Sequence, residues 1–452
     1  MYAECIDLRS PVQWRGGCGP NKESCSCVSS ETHTTDQAAL SSDPKTSPAS
    51  FVKARRASLL GAIFLMATSA IGPGFITQTA TFTVTLGASF AFGILASILI
   101  DFVVQLNIWQ MVTLTGKRAS ELANAAIPGS GYLLAVLVMF GGLVFNIGNI
   151  AGAGLGMNAM LGIDPKIGGA VSAGLAICIF LLKRAGVVVD RVMVVLGLLM
   201  IGLTVFVAIV SNPPVGEALR QTVWPDTMDF AMITTIVGGT VGGYITYAGA
   251  HRLLDSGTAG AEHIRQVTKA AVTGILVTGI MRYVLFLAIL GVVASGVTID
   301  ISGATANPAA QAFLAAAGQF GLRAFGLVFW AAGITSVIGA AYTSISFTTV
   351  FKPGITDRAR NLATVAFISV SLVIYLFLGT APAALLVFAG GFNGLILPIG
   401  LTIFMYIGWF RRDLLRGARI HPVLLSLGTL VTALTWYMGA VSIGPIFAFL
   451  SL

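Results

Sequence analysis

The sequence predicts an all-α polytopic membrane protein, and three observations carry that prediction. Charge is scarce: Asp, Glu, Lys and Arg make up 10% of the 452 residues, where a soluble globular chain averages about 25%. Mean hydropathy is +0.89, and apolar runs of about 20 residues, long enough to cross a hydrocarbon core as a helix with every backbone polar group paired internally, recur from Ser58 onward. Two of those runs are interrupted by glycine at similar depth.

The first 50 residues, 1–50, form a polar, Ser/Thr-rich stretch expected to be a disordered cytosolic tail. It holds Cys5, Cys18, Cys25 and Cys27; Cys178 sits in an apolar run. The tail has no apolar h-region, so it does not read as a cleaved signal peptide. Cys25-Ser-Cys27 with His33 nearby is too small a ligand set for a structural metal site. The remainder, 51–452, reads as one membrane domain.

Apolar runs bounded by charge and turn residues give eleven spans, near 58–84, 88–111, 132–158, 166–184, 190–211, 229–250, 270–297, 322–350, 360–379, 382–408 and 424–449. The net charge of +8 is spread over short loops and forms no patch for nucleic acid. With the N-terminus inside, the cytoplasmic loops collect most of the cations, among them Lys117, Arg118, Arg252, Arg265, Arg411 and Arg412, while the opposite side holds Lys166, Arg220 and Arg323. That bias predicts a cytosolic N-terminus and, with an odd number of spans, an extracellular C-terminus in the cell membrane.

The interruptions are Ile71-Gly72-Pro73-Gly74 in the first span and Gly238-Gly239-Thr240-Val241-Gly242-Gly243 in the sixth. Glycine leaves the backbone unrestrained and proline removes a donor, so both segments are expected to unwind. Unwound backbone at mid-membrane is tolerated where it is buried in protein or lines a wet cavity, and paired interruptions of this kind mark an inverted-repeat transporter. The competing reading is that the glycines simply let helices pack closely.

The polar groups near the breaks are neutral: Ser69, Thr77, Gln78, Thr79 and Thr81 in one, Thr234, Thr235, Thr240, Tyr244, Thr246 and Tyr247 in the other. Hydroxyls, amides and freed carbonyls suit a hard cation such as Mg²⁺, which dehydrates reluctantly and is held largely through its own waters. Neither break offers the Cys, Met or His that would select a softer metal. The same hydroxyls can instead bond back to their own helices. Asp101 stands well inside the second span, where an acid is by default functional; it is a candidate for the ion path, and pairing with Arg282 of the seventh span is the bland alternative.

At these positions the chain resembles the NRAMP family of divalent metal transporters. The family's Asp-Pro-Gly-Asn signature looks like Gly72-Pro73-Gly74-Phe75, its Thr-Gly-Lys/Arg loop like Thr115-Gly116-Lys117-Arg118, and its Ala-Thr-Val-Met-Pro-His like Gly239-Thr240-Val241-Gly242-Gly243-Tyr244. The resemblance implies the LeuT-type fold, two inverted five-helix repeats plus an eleventh transmembrane helix. It also exposes departures. The metal-binding Asp, Asn, Ala and Met of the family become Gly72, Phe75, Gly239 and Gly242. The third-span acids of its proton path become Asn146 and Asn149, the sixth-span His becomes Tyr244, and the tenth-span Gln falls on Gly390, with Asn393 one turn away. This pattern is similar to the NRAMP-related magnesium transporter branch, and implies Mg²⁺ and Mn²⁺ as cargo, carried largely hydrated and without proton coupling. No cofactor is implied. An amino-acid transporter of the same fold is the alternative, because a glycine-rich half-helix N-terminus can receive a carboxylate. No nucleophile–base pair, metal cluster or phosphate loop suggests an enzyme.

Overall fold

The structure is a computed structural model describing residues 71–181, 185–303, 306–378 and 382–448, and among them it contains helices and no strands. Several helices start where the sequence supplies a proline or a capping side chain. α1 (Pro73–Leu86) opens on a proline, whose missing N–H costs nothing in the first turn, and a 3₁₀ turn at Gly87–Ser89 leads into α2 (Phe90–Thr115), which ends on Gly116 with φ of 66°. The short helix α3 (Ala119–Ala126) precedes α4 (Ser130–Leu161), α5 (Pro165–Leu181), α6 (Ala185–Val210) and α7 (Val215–Val223). After these come α8 (Phe230–Thr240), α9 (Ile245–Asp255), α10 (Ile264–Ala294), α11 (Pro308–Ser346), α12 (Asp357–Phe377), α13 (Pro382–Phe410) and α14 (Pro422–Ala448).

Among the described residues, seven helical stretches are long and apolar enough to cross a membrane, or eight with the pair Gly197–Val210 and Val215–Val223, bent by 110°. The sixth expected span is not among them because it is split into α8 and α9, of 11 residues each. Most boundaries shift by a few residues from expectation; the eighth span differs more, expected at 322–350 where α11 begins at Pro308. The reason is an internal break. Ala317 (φ −132°) and Gly318 (φ 60°, ψ −155°) leave helical geometry, so an amphipathic lead-in capped by Asn307 precedes the membrane helix proper.

α4 is the central post, packed by α11, α5, α13, α12 and α1. Its small residues let neighbours in closely: Gly148 meets Leu386 of α13, Gly152 the ring of Pro73, and Gly156 the backbone of Trp330. On the other side α2 packs against α10, α8 and α14. α1 thus packs against α10, α11, α13 and α4, and α8 against α13, α14 and α2.

Candidate functional site

The sixth span unwinds at residues 241–244, between α8 and α9, where Val241 adopts φ −132°, ψ −5° and Gly243 a left-handed φ of 55°. Only glycine takes that conformation without strain. α1 starts beside it: its N-cap, Gly72, is extended (φ −89°, ψ −176°) and supplies no capping side chain. A break releases carbonyls at the end of one helix and amides at the start of the next, so both polarities of backbone group are on offer at the centre of the bundle.

The glycines divide by what they face. Gly238 lies against the backbone of Gly390 and Gly394, and Gly242 against Gly238 and the Asn393 carbonyl, so these serve close packing. Gly239 and Gly390 serve something else. A Cβ on either would run into the side-chain amide of Gln78, which α1 inserts between α8 and α13. Its Nε2 donates to the Leu386 carbonyl (3.2 Å), and its Oε1 is buried without a hydrogen-bond partner. The first span thus brings an amide into the space beside Gly390. Sequence reading noted Gln78 only as one polar neighbour of the break. The signal that singles it out is two glycines on facing helices, visible once the register is known.

Gly72 opens a space bounded by the Ser336 hydroxyl of α11 and the Asn149 amide of α4. Tyr244 is buried and packs edge-to-face on Phe145 with ring centroids 5.6 Å apart, and the buried Asn149 Nδ2 has no hydrogen-bond partner. Asn146 points away, its Nδ2 donating to Ser371 of α12 (3.0 Å). Asn393 braces the break: its Nδ2 donates to the carbonyls of Gly141 (3.0 Å) and Ala389 (2.8 Å), while its Oδ1 fills the space beside Gly243. Ser69 lies outside the described residues. Thr79, Thr234 and Thr235 donate to carbonyls of their own helices, whereas Thr77 and Thr246 keep buried hydroxyls without partners.

The seam on the α2 side is charged. Asp101 is buried and accepts from the Thr240 hydroxyl at 3.4 Å, which itself donates to the Ile236 carbonyl (2.8 Å). Arg282 of α10 feels the charge of Asp101, but the two form no ion pair. Its guanidinium carbon lies 4.1 Å from the centroid of the Phe75 ring, and none of its three nitrogens has a hydrogen-bond partner. Phe75 therefore turns toward α10, beneath a cation.

The Nramp family model, described as natural resistance-associated macrophage protein-like, matches residues 63–443. The chain belongs to the Nramp family. This is a family of transporters rather than enzymes. A relative is the Bacillus subtilis membrane protein YcsG, 52% identical over 382 residues, covering 84% of this chain and 93% of that one. Among solved structures, a mutant of the Eremococcus coleocola manganese transporter overlays with a TM-score of 0.70 at 15% identity over 89% of both chains. MhsT in complex with L-phenylalanine overlays with a TM-score of 0.59 at 15% identity, over 86% of this chain and 98% of that one. These likenesses fix the architecture of this Nramp protein as LeuT-type, with two inverted five-helix repeats and an eleventh helix.

Proposed function

We propose that this Nramp protein is a secondary transporter in the cell membrane that carries Mg²⁺, and Mn²⁺ with it, past the two breaks as a largely hydrated ion without proton coupling. Its N-terminus faces the cytosol and its C-terminus the exterior. Family membership and likeness to a manganese transporter support a divalent cation. The observation that carries the hard-ion reading is the Gln78 Oε1, an unpartnered neutral oxygen between Gly239 and Gly390, joined by the free hydroxyls of Thr77 and Thr246. Neutral oxygens suit an ion that keeps part of its water shell. Asn146, Asn149 and Tyr244 stand where the family has titrating groups, and none changes charge near neutral pH, which supports uncoupled movement. The test is flux into proteoliposomes carrying an internal Mg²⁺ reporter and a pH reporter. Mg²⁺ enters without acidifying the lumen, and Gln78→Leu slows entry by about tenfold, as expected for loss of one ion-facing dipole. Acidification in step with Mg²⁺ entry overturns the uncoupled reading.

A second reading, an amino-acid transporter, is favoured by Asp101 and Arg282, opposite charges near the breaks and not joined to each other. Likeness to MhsT, solved with L-phenylalanine, is compatible with it. Uptake of a labelled amino acid that ignores divalent cations favours this reading over the first.

A further inference from the structure

We infer that the Arg282 guanidinium, seated on Phe75, is a binding subsite for a small monocarboxylate beside the broken helices. The inference rests on the breaks being the transport site and adds an organic anion to it.

A guanidinium presents a planar fork of N–H donors and is always charged. Arg282 is 1% exposed, and its Nε and both terminal nitrogens lack partners. Buried charges in proteins are otherwise paired or hydrogen-bonded. One face of the group is already taken, since Phe75 lies 4.1 Å from the guanidinium carbon. Stacking of this kind holds a guanidinium by its face and leaves its edge, where the donors are, for a ligand. Asp101 supplies an opposite charge nearby yet accepts from Thr240 and does not engage those donors.

The ligand follows from shape and charge. A carboxylate matches the fork with two parallel N–H···O bonds. A single guanidinium with the Asp101 charge close by disfavours a dianion such as phosphate, and the apolar cluster to which Phe75, Met281 and Leu285 belong suits a short hydrocarbon tail. The subsite also answers a feature of the chain. Glycine at position 72 removes the acid its family resemblance leads one to expect, and a bound carboxylate returns one negative charge to the centre. It would offset the repulsion between Arg282 and a dication, so carboxylate and cation bind more tightly together than apart.

Calorimetry on the full-length protein in detergent, without divalent cations, tests the subsite with propionate, its neutral isostere propionamide and the zwitterion L-alanine. Propionate binds and propionamide does not; Arg282→Gln weakens propionate by at least about tenfold, the scale of a lost charge-assisted pair, and Arg282→Lys weakens it less. L-Alanine binding more tightly than propionate assigns the ammonium to Asp101; equal affinities assign a plain monocarboxylate. Should Arg282→Gln fail to fold, Phe75→Leu serves, and it weakens propionate several-fold by releasing the guanidinium from its seat. Failure of all carboxylates to bind the wild type, or propionate binding unchanged in the variant that folds, overturns the subsite. Adding Mg²⁺ keeps the two proposals apart: propionate binding with no Mg²⁺ uptake removes the cation reading and leaves the subsite standing.

Discussion

Two of the molecule's arginine–aspartate couples behave in opposite ways. At the end of the bundle where the loops are rich in cations, Arg118 Nη2 meets Asp255 Oδ1 at 2.5 Å, Tyr342 donates to the other carboxylate oxygen, and the Arg360 guanidinium lies 6.0 Å from the Tyr342 ring centroid. That cluster ties the start of α3 to the end of α9 and to α11. Beside it the buried His251 accepts the Ala119 N–H at 3.1 Å and bonds Ser346 at 2.7 Å, so the neutral ring is satisfied on both nitrogens. In the middle, Asp101 and Arg282 are both buried and stay apart. Charges that close on each other hold elements together. Charges held apart in a low-dielectric interior, each on its own helix, are arranged for something between or beside them.

The comparison breaks most easily at its buried half. Asp101→Asn removes the charge nearest Arg282 and leaves a cation with none to offset it, which costs on the order of 3 kcal/mol. Thermal denaturation in detergent checks this, and the double variant Asp101→Asn/Arg282→Gln recovers most of the loss if the two groups are coupled. A loss below about 0.5 kcal/mol for the single variant, the level of an ordinary surface change, means that Arg282 does not depend on Asp101.

The neutral part of the centre is sharpened by Gly390→Ala. A Cβ there meets the Gln78 amide and the Thr235 carbonyl, an overpacking worth about 1–3 kcal/mol. Adding Gln78→Ala makes room and restores the melting temperature, while Mg²⁺ uptake stays low. Restored uptake in the double variant excludes the Gln78 amide from ion handling.

Much of this was legible in the sequence. The sixth-span break was expected within 238–243 and falls at 241–244, because glycine there has no side chain to hold a helix. Asp101 stood out because an acid inside an apolar run has few structural uses. What stayed hidden depends on contacts between helices. Period and composition identify which face of α1 is polar, but not that Gln78 enters a slot emptied at Gly239 and Gly390. Nor do they reveal that Phe75 is the seat of a cation from α10. The bland reading of the glycines also holds in part, since Gly238 and Gly242 do pack backbone against backbone. The start of α11 is not legible in the sequence because its lead-in, 308–316, is too short for an apolar run, and Gly318 breaks it from the membrane helix.

The smallest effect belongs to the closed couple. Arg118 and Asp255 have side chains 13% and 25% exposed, so water and salt reach them and their attraction is worth only about 1 kcal/mol. Asp255→Asn removes the ion pair while an amide oxygen can still accept from Tyr342, and the melting temperature falls slightly, by less at 0.5 M salt, since exposed pairs are screened at that ionic strength. Asp101→Asn, by contrast, keeps its full cost in salt, because ions do not enter a buried seam. The two variants measured side by side thus separate a screened clamp from an unscreened site. Equal salt sensitivity in both means that solvent reaches Asp101 freely and that the centre is an open aqueous path.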